Sequence, residues 1–253
     1  MRLVMSASDA LERSRQIQVN GRDYTLAEYV GAAPKRGIYV EGNEHNDNGL
    51  PQGFLVIQPP GAVTPAHFHE PNQFQVFVEG NARIGARPAT PLTVQYANGH
   101  TPYGPIVAFD EGVKYFTLRQ HWDPGAKYLP ASLAKLIKGN QRTRLRSDIG
   151  RDSGDQHSSG TTPQVEIVFE KEPDGLAAWL YRLGPGQSCS LEDPADGGGQ
   201  YIVVTGGALV CDGAEFPRHS ICFVSPDEPA FHAVASEAGL EFLILQFPKL
   251  TQH

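Results

Sequence analysis

The stretch His67-Phe68-His69, with Gln73 four residues on, holds the side chains of this sequence best suited to chemistry. In an extended strand, residues i and i+2 face the same side. His67 and His69 therefore aim both imidazoles at one surface, and a hairpin return strand can bring Gln73 beside them. Neutral imidazoles bind Fe²⁺, Mn²⁺, Ni²⁺, Zn²⁺ and Cu²⁺, so a pair held this way can clasp a divalent transition metal. A His-x-His alone is more often packing than ligation, and only a converging scaffold makes it a site.

That scaffold is legible around the pair. Gly and Pro, 27 and 20 in number, cut the chain into short β-branched and aromatic segments. Examples are Ile38–Val40, Gly53–Ile57, Gln73–Val78, Tyr115–Leu118, Val165–Phe169, Ala178–Tyr181, Tyr201–Val204 and Phe242–Leu245. Short strands with this punctuation predict an all-β sandwich or barrel. Helical spacing is confined to Ser6–Arg15 and Ala131–Lys138. Between Gly139 and Pro163 the sequence turns polar and reads as a linker. The parts on either side rhyme: Gly61 to Gly80 and Gly186 to Gly207 each begin at a Gly after a Pro-containing turn. Each ends with Gln, six strand residues and Gly, at Gln73 and Gln200. This reads as an internal duplication with one diverged copy.

Gly61, five residues, His67-Phe68-His69, three residues, Gln73, six residues and Gly80 resembles the first signature motif of the cupin superfamily. That motif carries Glu where this chain has Gln73. The resemblance implies two double-stranded β-helix (jelly-roll) barrels with a few short helices. Residues 31–128 would form the first barrel, with a metal in its mouth and a substrate pocket around it. Residues 1–30 would be an N-terminal extension, 129–163 a helix and polar linker, and 164–253 a second barrel without the metal motif. Cupins usually supply one more His from a second motif. In the second half, Phe223–His232 resembles that motif, ending in His232. In the first half, counting places Tyr103 level with His232 and His100 three residues early. Because imidazole binds such metals more readily than a phenol, the expected ligands are His67, His69, Gln73 and His100. Tyr103 would line the pocket, and His121 is a weaker substitute for His100. In the second copy Glu192 counts level with His67, so a carboxylate-lined pocket is an alternative there.

With Gln73 in place of an acid, a bound ion (Fe, Mn, Ni or Zn) would keep its charge of about +2 and favour an anionic ligand. The amide also cannot serve as a general base. The expected function is thus a metal-binding two-barrel cupin, with dioxygenase-like cleavage of a small organic anion as the first expectation. Tyr103 would donate to the substrate, and Gln73 would bind the ion or orient a bound water for catalysis. The alternatives are a non-catalytic small-molecule binding or sensing barrel, or a metal-independent isomerase using His100 and Tyr103 as acid and base.

The bulk numbers exclude other classes. The chain has 253 residues, a net charge of −7, and no basic run beyond Arg142, Arg144 and Arg146. Nucleic-acid binding is not expected from that balance. No secretory signal and no membrane-length apolar run is present, so no membrane partner is expected. Three unpaired-looking cysteines fit the cytoplasm. Edge strands of such barrels often pair between subunits, so a homodimer is expected.

Overall fold

The computed structural model describes residues 1–35, 46–139, 141–150 and 162–249. The expected segment Ile38–Val40 lies outside these. The chain forms two units, Leu11–Asp148 and a second made of Met1–Ala10 with Ile149–His253.

The first unit is built on a nine-stranded antiparallel sheet. Its strands run β2 (Arg15–Val19), β3 (Arg22–Val30), β4 (Gln52–Gln58), β5 (Val63–Thr64), β7 (Gln73–Ile84), β8 (Arg87–Ala89), β9 (Thr93–Ala97), β10 (Ile106–Arg119) and β12 (Thr143–Arg146). A separate pair joins β6 (His67–Phe68) to β11 (Lys127–Tyr128). The path through the large sheet is β12-β9-β7-β10-β4-β3-β2. Alternation decides what each strand buries. Ile17, Val19, Tyr24, Leu26, Phe54, Val56, Phe77 and Tyr115 share one core cluster.

The second unit carries β1 (Arg2–Met5) at one edge of an eight-stranded sheet, paired with β18 (Ile221–Val224). Next come β16 (Gln200–Cys211), β19 (His232–Gln246), β14 (Ala177–Leu183) and β13 (Gln164–Phe169), with β15 (Ser188–Ser190) on β19 and β17 (Ala214–Pro217) on β16. Trp179, Tyr181, Ile202, Val204, Phe242 and Ile244 lead its core.

The two sheets share one pattern of register. In the first unit Gln73 faces Arg119, which faces Gln52 across three neighbouring strands. In the second, Gln200 faces Gln246, which faces Ala177. Both central hairpins also need glycine at the same place. A Cβ on Gly80 (φ 69) would meet the Gly112 carbonyl oxygen at 2.1 Å, and one on Gly207 (φ 62) would meet that of Gly239 at 2.0 Å. Only a residue without a side chain lets the strands approach that closely in this backbone conformation.

Several expected boundaries differ from those observed. Residues 1–30 are not a separate extension. Arg15–Val30 supplies two strands to the first sheet because Ile17 and Val19 alternate into its core, while Arg2–Met5 joins the second sheet. Within the polar stretch, Thr143–Arg146 forms a strand pairing β9, and 151–161 lie outside the described residues. The helix expected at Ser6–Arg15 spans Ala7–Glu12, here α1. That at Ala131–Lys138 shrinks to a 3₁₀ turn, Leu133–Lys135. Leu133 and Ile137 are 58% and 66% exposed, so its apolar spacing has no core to face. The three cysteines are free thiols. Among the described residues no helix is long and apolar enough to cross a membrane.

Candidate functional site

Phe68 is fully buried on the strand between the two imidazoles, so His67 and His69 turn to the opposite side of β6. Their rings lie 5.1 Å apart, edge to face at 88°. Backbone bonds between His67 and Tyr103, in both directions, bring Tyr103 against the pair. The start of β7 supplies Gln73 and the end of β10 supplies Arg119, directly opposite in register.

These side chains form one continuous hydrogen-bonded set whose directions are fixed by its ends. The Pro65 carbonyl only accepts, so His67 Nδ1, 2.7 Å away, carries a proton and donates to it. His67 Nε2 is then an acceptor for the Tyr103 hydroxyl at 2.9 Å. The Tyr103 oxygen accepts in turn from Gln73 Nε2 at 2.7 Å. Gln73 Oε1 accepts from Arg119 twice, from Nε at 2.9 Å and Nη2 at 2.6 Å. Arg119 Nη2 also lies against the His69 ring, 3.1 Å from Nε2 and 3.2 Å from Nδ1, while His69 Nδ1 donates to the Asp123 carboxylate at 2.7 Å. Arg119 Nη1 donates to Gln52 Oε1 and stands 3.7 Å from Asp123. The face of Phe54 covers the guanidinium at 5.5 Å. Both imidazoles thus share one tautomer, assigned from this network, with protonated Nδ1 and an Nε2 lone pair turned inward.

The electrostatics follow from burial. Arg119 is 1% exposed, a permanent cation that survives only because its donors are matched. Burial, then the neighbouring His69, lowers the His67 pKa to about 3. Burial and Arg119 together lower that of His69 to about 4, although Asp123 acts to raise it. The contact between His69 and Asp123 is therefore a neutral imidazole bonded to a carboxylate. Burial works to protonate Asp123, but His69 and Arg119 hold its carboxyl well below the usual range. Burial raises the Tyr103 phenol far above its ordinary value, so it stays protonated.

Above this floor opens a cavity with about 70 Å³ of space for water-sized molecules. Tyr24, Leu26, Phe54, Val56, Tyr115 and Tyr128 give it an aromatic and aliphatic wall. Gln75 and Thr117, one step along the same strands from Gln73 and Arg119, face each other in register and also line it. Gln75 is 3% exposed, and its Oε1 has no hydrogen-bond partner among the described residues.

Of the expected site residues, the structure brings His67, His69, Gln73 and Tyr103 together. It does not bring His100 to them. His100 sits in a turn at φ 56, its Nδ1 accepting from the Ile137 N–H at 3.3 Å and its ring 5.5 Å from Phe68. The three-residue offset from His232 is what leaves it there. His121 is exposed. Sequence reasoning missed Arg119, Asp123, Gln52 and Gln75. The available signal was alternation: Tyr115, Thr117 and Arg119 share a face, and a cation ending that apolar row marks a polar floor.

The divalent ion implied by the family resemblance is not matched by these donors as they stand. His67 Nε2 and Gln73 Oε1 already accept hydrogen bonds, from Tyr103 and from Arg119, and the guanidinium lies against the His69 ring at 3.1 Å from Nε2. A fixed positive charge lies among them, and no carboxylate joins the three. Among the described residues, no group of three or more His, Cys, Asp or Glu side chains stands together to hold a metal.

In the second unit, the rung equivalent to Gln73–Arg119 is uncharged: Gln200 Nε2 donates to Gln246 Oε1 at 2.8 Å. Glu192 accepts from the Tyr181 hydroxyl at 2.6 Å, and His232 is exposed beside Ser190.

No protein-family model and no curated protein matches the chain. Among solved structures, a candidate dioxygenase from Nostoc punctiforme is similar over 100% of this chain and 85% of its own, with TM-score 0.61 and 11% identity. Bacillus subtilis oxalate decarboxylase, studied for its Mn(II) centres, is similar over 98% of this chain and 78% of its own, with TM-score 0.57 and 14% identity. A bacterial pirin from Escherichia coli in complex with nickel(II) is similar over 99% and 100%, with TM-score 0.53 and 10% identity. At these identities the likeness shows the fold alone, and that fold is the cupin-type β-barrel.

Proposed function

We propose that the first barrel binds a small, uncharged organic molecule with an aromatic or apolar body, seated on the floor of His67, His69, Tyr103 and Arg119. The observation that carries this reading is the Gln75 amide oxygen, buried without a partner in the wall of an aromatic-lined cavity. A buried acceptor left unpaired costs about 1–3 kcal/mol, which a ligand hydroxyl or N–H recovers when the Gln75 side chain turns that oxygen into the cavity. The anionic ligand expected beside a bare dication loses that support, because the charge of Arg119 stands against Asp123 at 3.7 Å. Acid–base turnover is also poorly served: both imidazoles are neutral and weakly basic, and Tyr103 holds its proton.

Phenol, p-cresol and benzoate titrated calorimetrically into the protein test this. The two phenols should bind more tightly than benzoate, and Gln75→Leu should weaken them by about tenfold, the worth of one neutral hydrogen bond. No heat from any of the three, or benzoate binding unaffected by Gln75→Leu, sinks the reading.

A metal-dependent, dioxygenase-like reading keeps the support of two inward Nε2 lone pairs beside Gln73, and of neighbours of this fold that carry Mn(II) or nickel. It requires Arg119 to leave both His69 and Gln73. One equivalent of metal in protein grown with Fe, Mn, Ni and Zn, absent from His67→Ala, would establish it.

A further inference from the structure

We infer that Arg119 is the resident cation of the first barrel: its guanidinium closes the position at which His67, His69 and Gln73 would otherwise ligate a divalent metal. Three observations point there. Both imidazoles carry their proton on Nδ1, fixed by Pro65 and Asp123, so each offers an inward Nε2 lone pair. That tautomer is the one a metal-ligating imidazole adopts when its other nitrogen is held by a carbonyl or carboxylate. The His67 lone pair and the Gln73 oxygen nevertheless accept O–H and N–H donors, and the Arg119 guanidinium that bonds Gln73 also lies against the His69 ring, 3.1 Å from Nε2.

Register explains how the side chain reaches this place. Arg119 ends β10 between Gln73 on one neighbouring strand and Gln52 on the other, so amide oxygens flank it from both sides. Gln52 is fixed in turn, donating to the Ala32 and Asp123 carbonyls at 2.7 and 3.1 Å. The amide at position 73 is explained by the same arrangement. Gln73 must accept from Arg119 and donate to Tyr103 at once, which a carboxylate cannot do. The departure from the family motif at position 73 and the arginine at 119 are then two halves of one replacement. A single delocalised charge, supplied by the chain, stands where the motif implies an exchangeable ion. This does not depend on which molecule the cavity accepts.

Cobalt(II) uptake, followed by ligand-field absorption after chelator treatment and dialysis, tests it. The native protein should show no saturable band. Gln73→Glu/Arg119→Ala restores the acid and removes the guanidinium. It should take up one Co(II) at least about 100-fold more tightly than the native chain, and lose it on adding His67→Ala. Stoichiometric Co(II) in the native protein, lost on His67→Ala, overturns the inference. So does a folded double variant that takes up none. If that variant does not fold, ¹⁵N spectra of the native protein decide. Neutral Nδ1–H imidazoles at His67 and His69, unmoved by Zn(II), support the inference, and Zn(II)-induced shifts of their Nε2 resonances overturn it.

Discussion

Gln73 Oε1 lies 2.9 Å from Arg119 Nε and 2.6 Å from Nη2, so both of its lone pairs are committed to one guanidinium. The same amide donates to Tyr103, which makes it the joint between a cationic and a phenolic half of the floor. Substitutions along this chain of bonds have different expected costs.

Gln73→Leu is expected to lower stability by about 3 kcal/mol or more, since it strands two donors of a buried cation. Gln73→Glu should cost less, because a carboxylate still accepts from Arg119, although Tyr103 must then turn its proton toward it and abandon His67. Urea denaturation read by Trp122 fluorescence in a Trp179→Phe background reports on the first barrel alone. Equal costs for the two variants would contradict the bonding directions assigned above.

Tyr103→Phe removes the donor to His67 Nε2 and the acceptor of Gln73 Nε2 while leaving the ring in place. A loss of about 2 kcal/mol follows from two buried polar atoms left unpaired. His100→Ala should cost less than about 1 kcal/mol, because its half-buried ring makes one long bond at a turn. The reverse ranking in the same denaturation assay would move His100 into the site and Tyr103 out of it.

How far the sequence reveals this site depends on whether a signal is local. The two imidazoles and Gln73 are legible because period-two geometry and a fixed spacing place them on one side of adjacent strands. The duplication is legible for the same reason, from Gln73 to Gly80 and Gln200 to Gly207. Arg119 is 46 residues from Gln73, and nothing local says that β7 and β10 align with those two opposite one another. His100 was favoured by ligand chemistry over counting, yet the register bridging His67 to Tyr103 decides the neighbour. Arg15–Val30 reads as an extension because its partner, β4, follows only at Gln52, after more than twenty intervening residues.

The pH dependence has a definite sign. Imidazoles titrate near 6.5 in the unfolded chain, against about 3 for His67 and about 4 for His69 when folded. Between those values the unfolded chain binds more protons, so the stability contribution is complete above pH 6.5. It is lost as pH falls toward the folded values. Each imidazole should cost about 2 kcal/mol at pH 5 relative to pH 8. Denaturation midpoints of the first barrel measured from pH 8 to 5 check this, and a flat profile would refute neutral, buried imidazoles.

Gly80→Ala and Gly207→Ala should each destabilise their own barrel by several kcal/mol, since a Cβ would overlap the facing carbonyl at a positive φ. Gly21→Ala, at φ 73 with nothing within 4 Å, should cost only about 1 kcal/mol. Paired thermal denaturation of the three variants separates close approach from backbone conformation. Equal losses would place the whole effect in the backbone.

The rung that holds Arg119 between Gln73 and Gln52 has its counterpart in Gln246 between Gln200 and Ala177. The polypeptide therefore contains a matched control for its own chemistry. One copy carries a buried ion at the strand end, and the other fills the same lattice point with an amide that needs no counter-charge. Exchanging Arg119 and Gln246 with their flanking residues would ask whether polarity at that point can be transplanted between the two sheets of a single molecule.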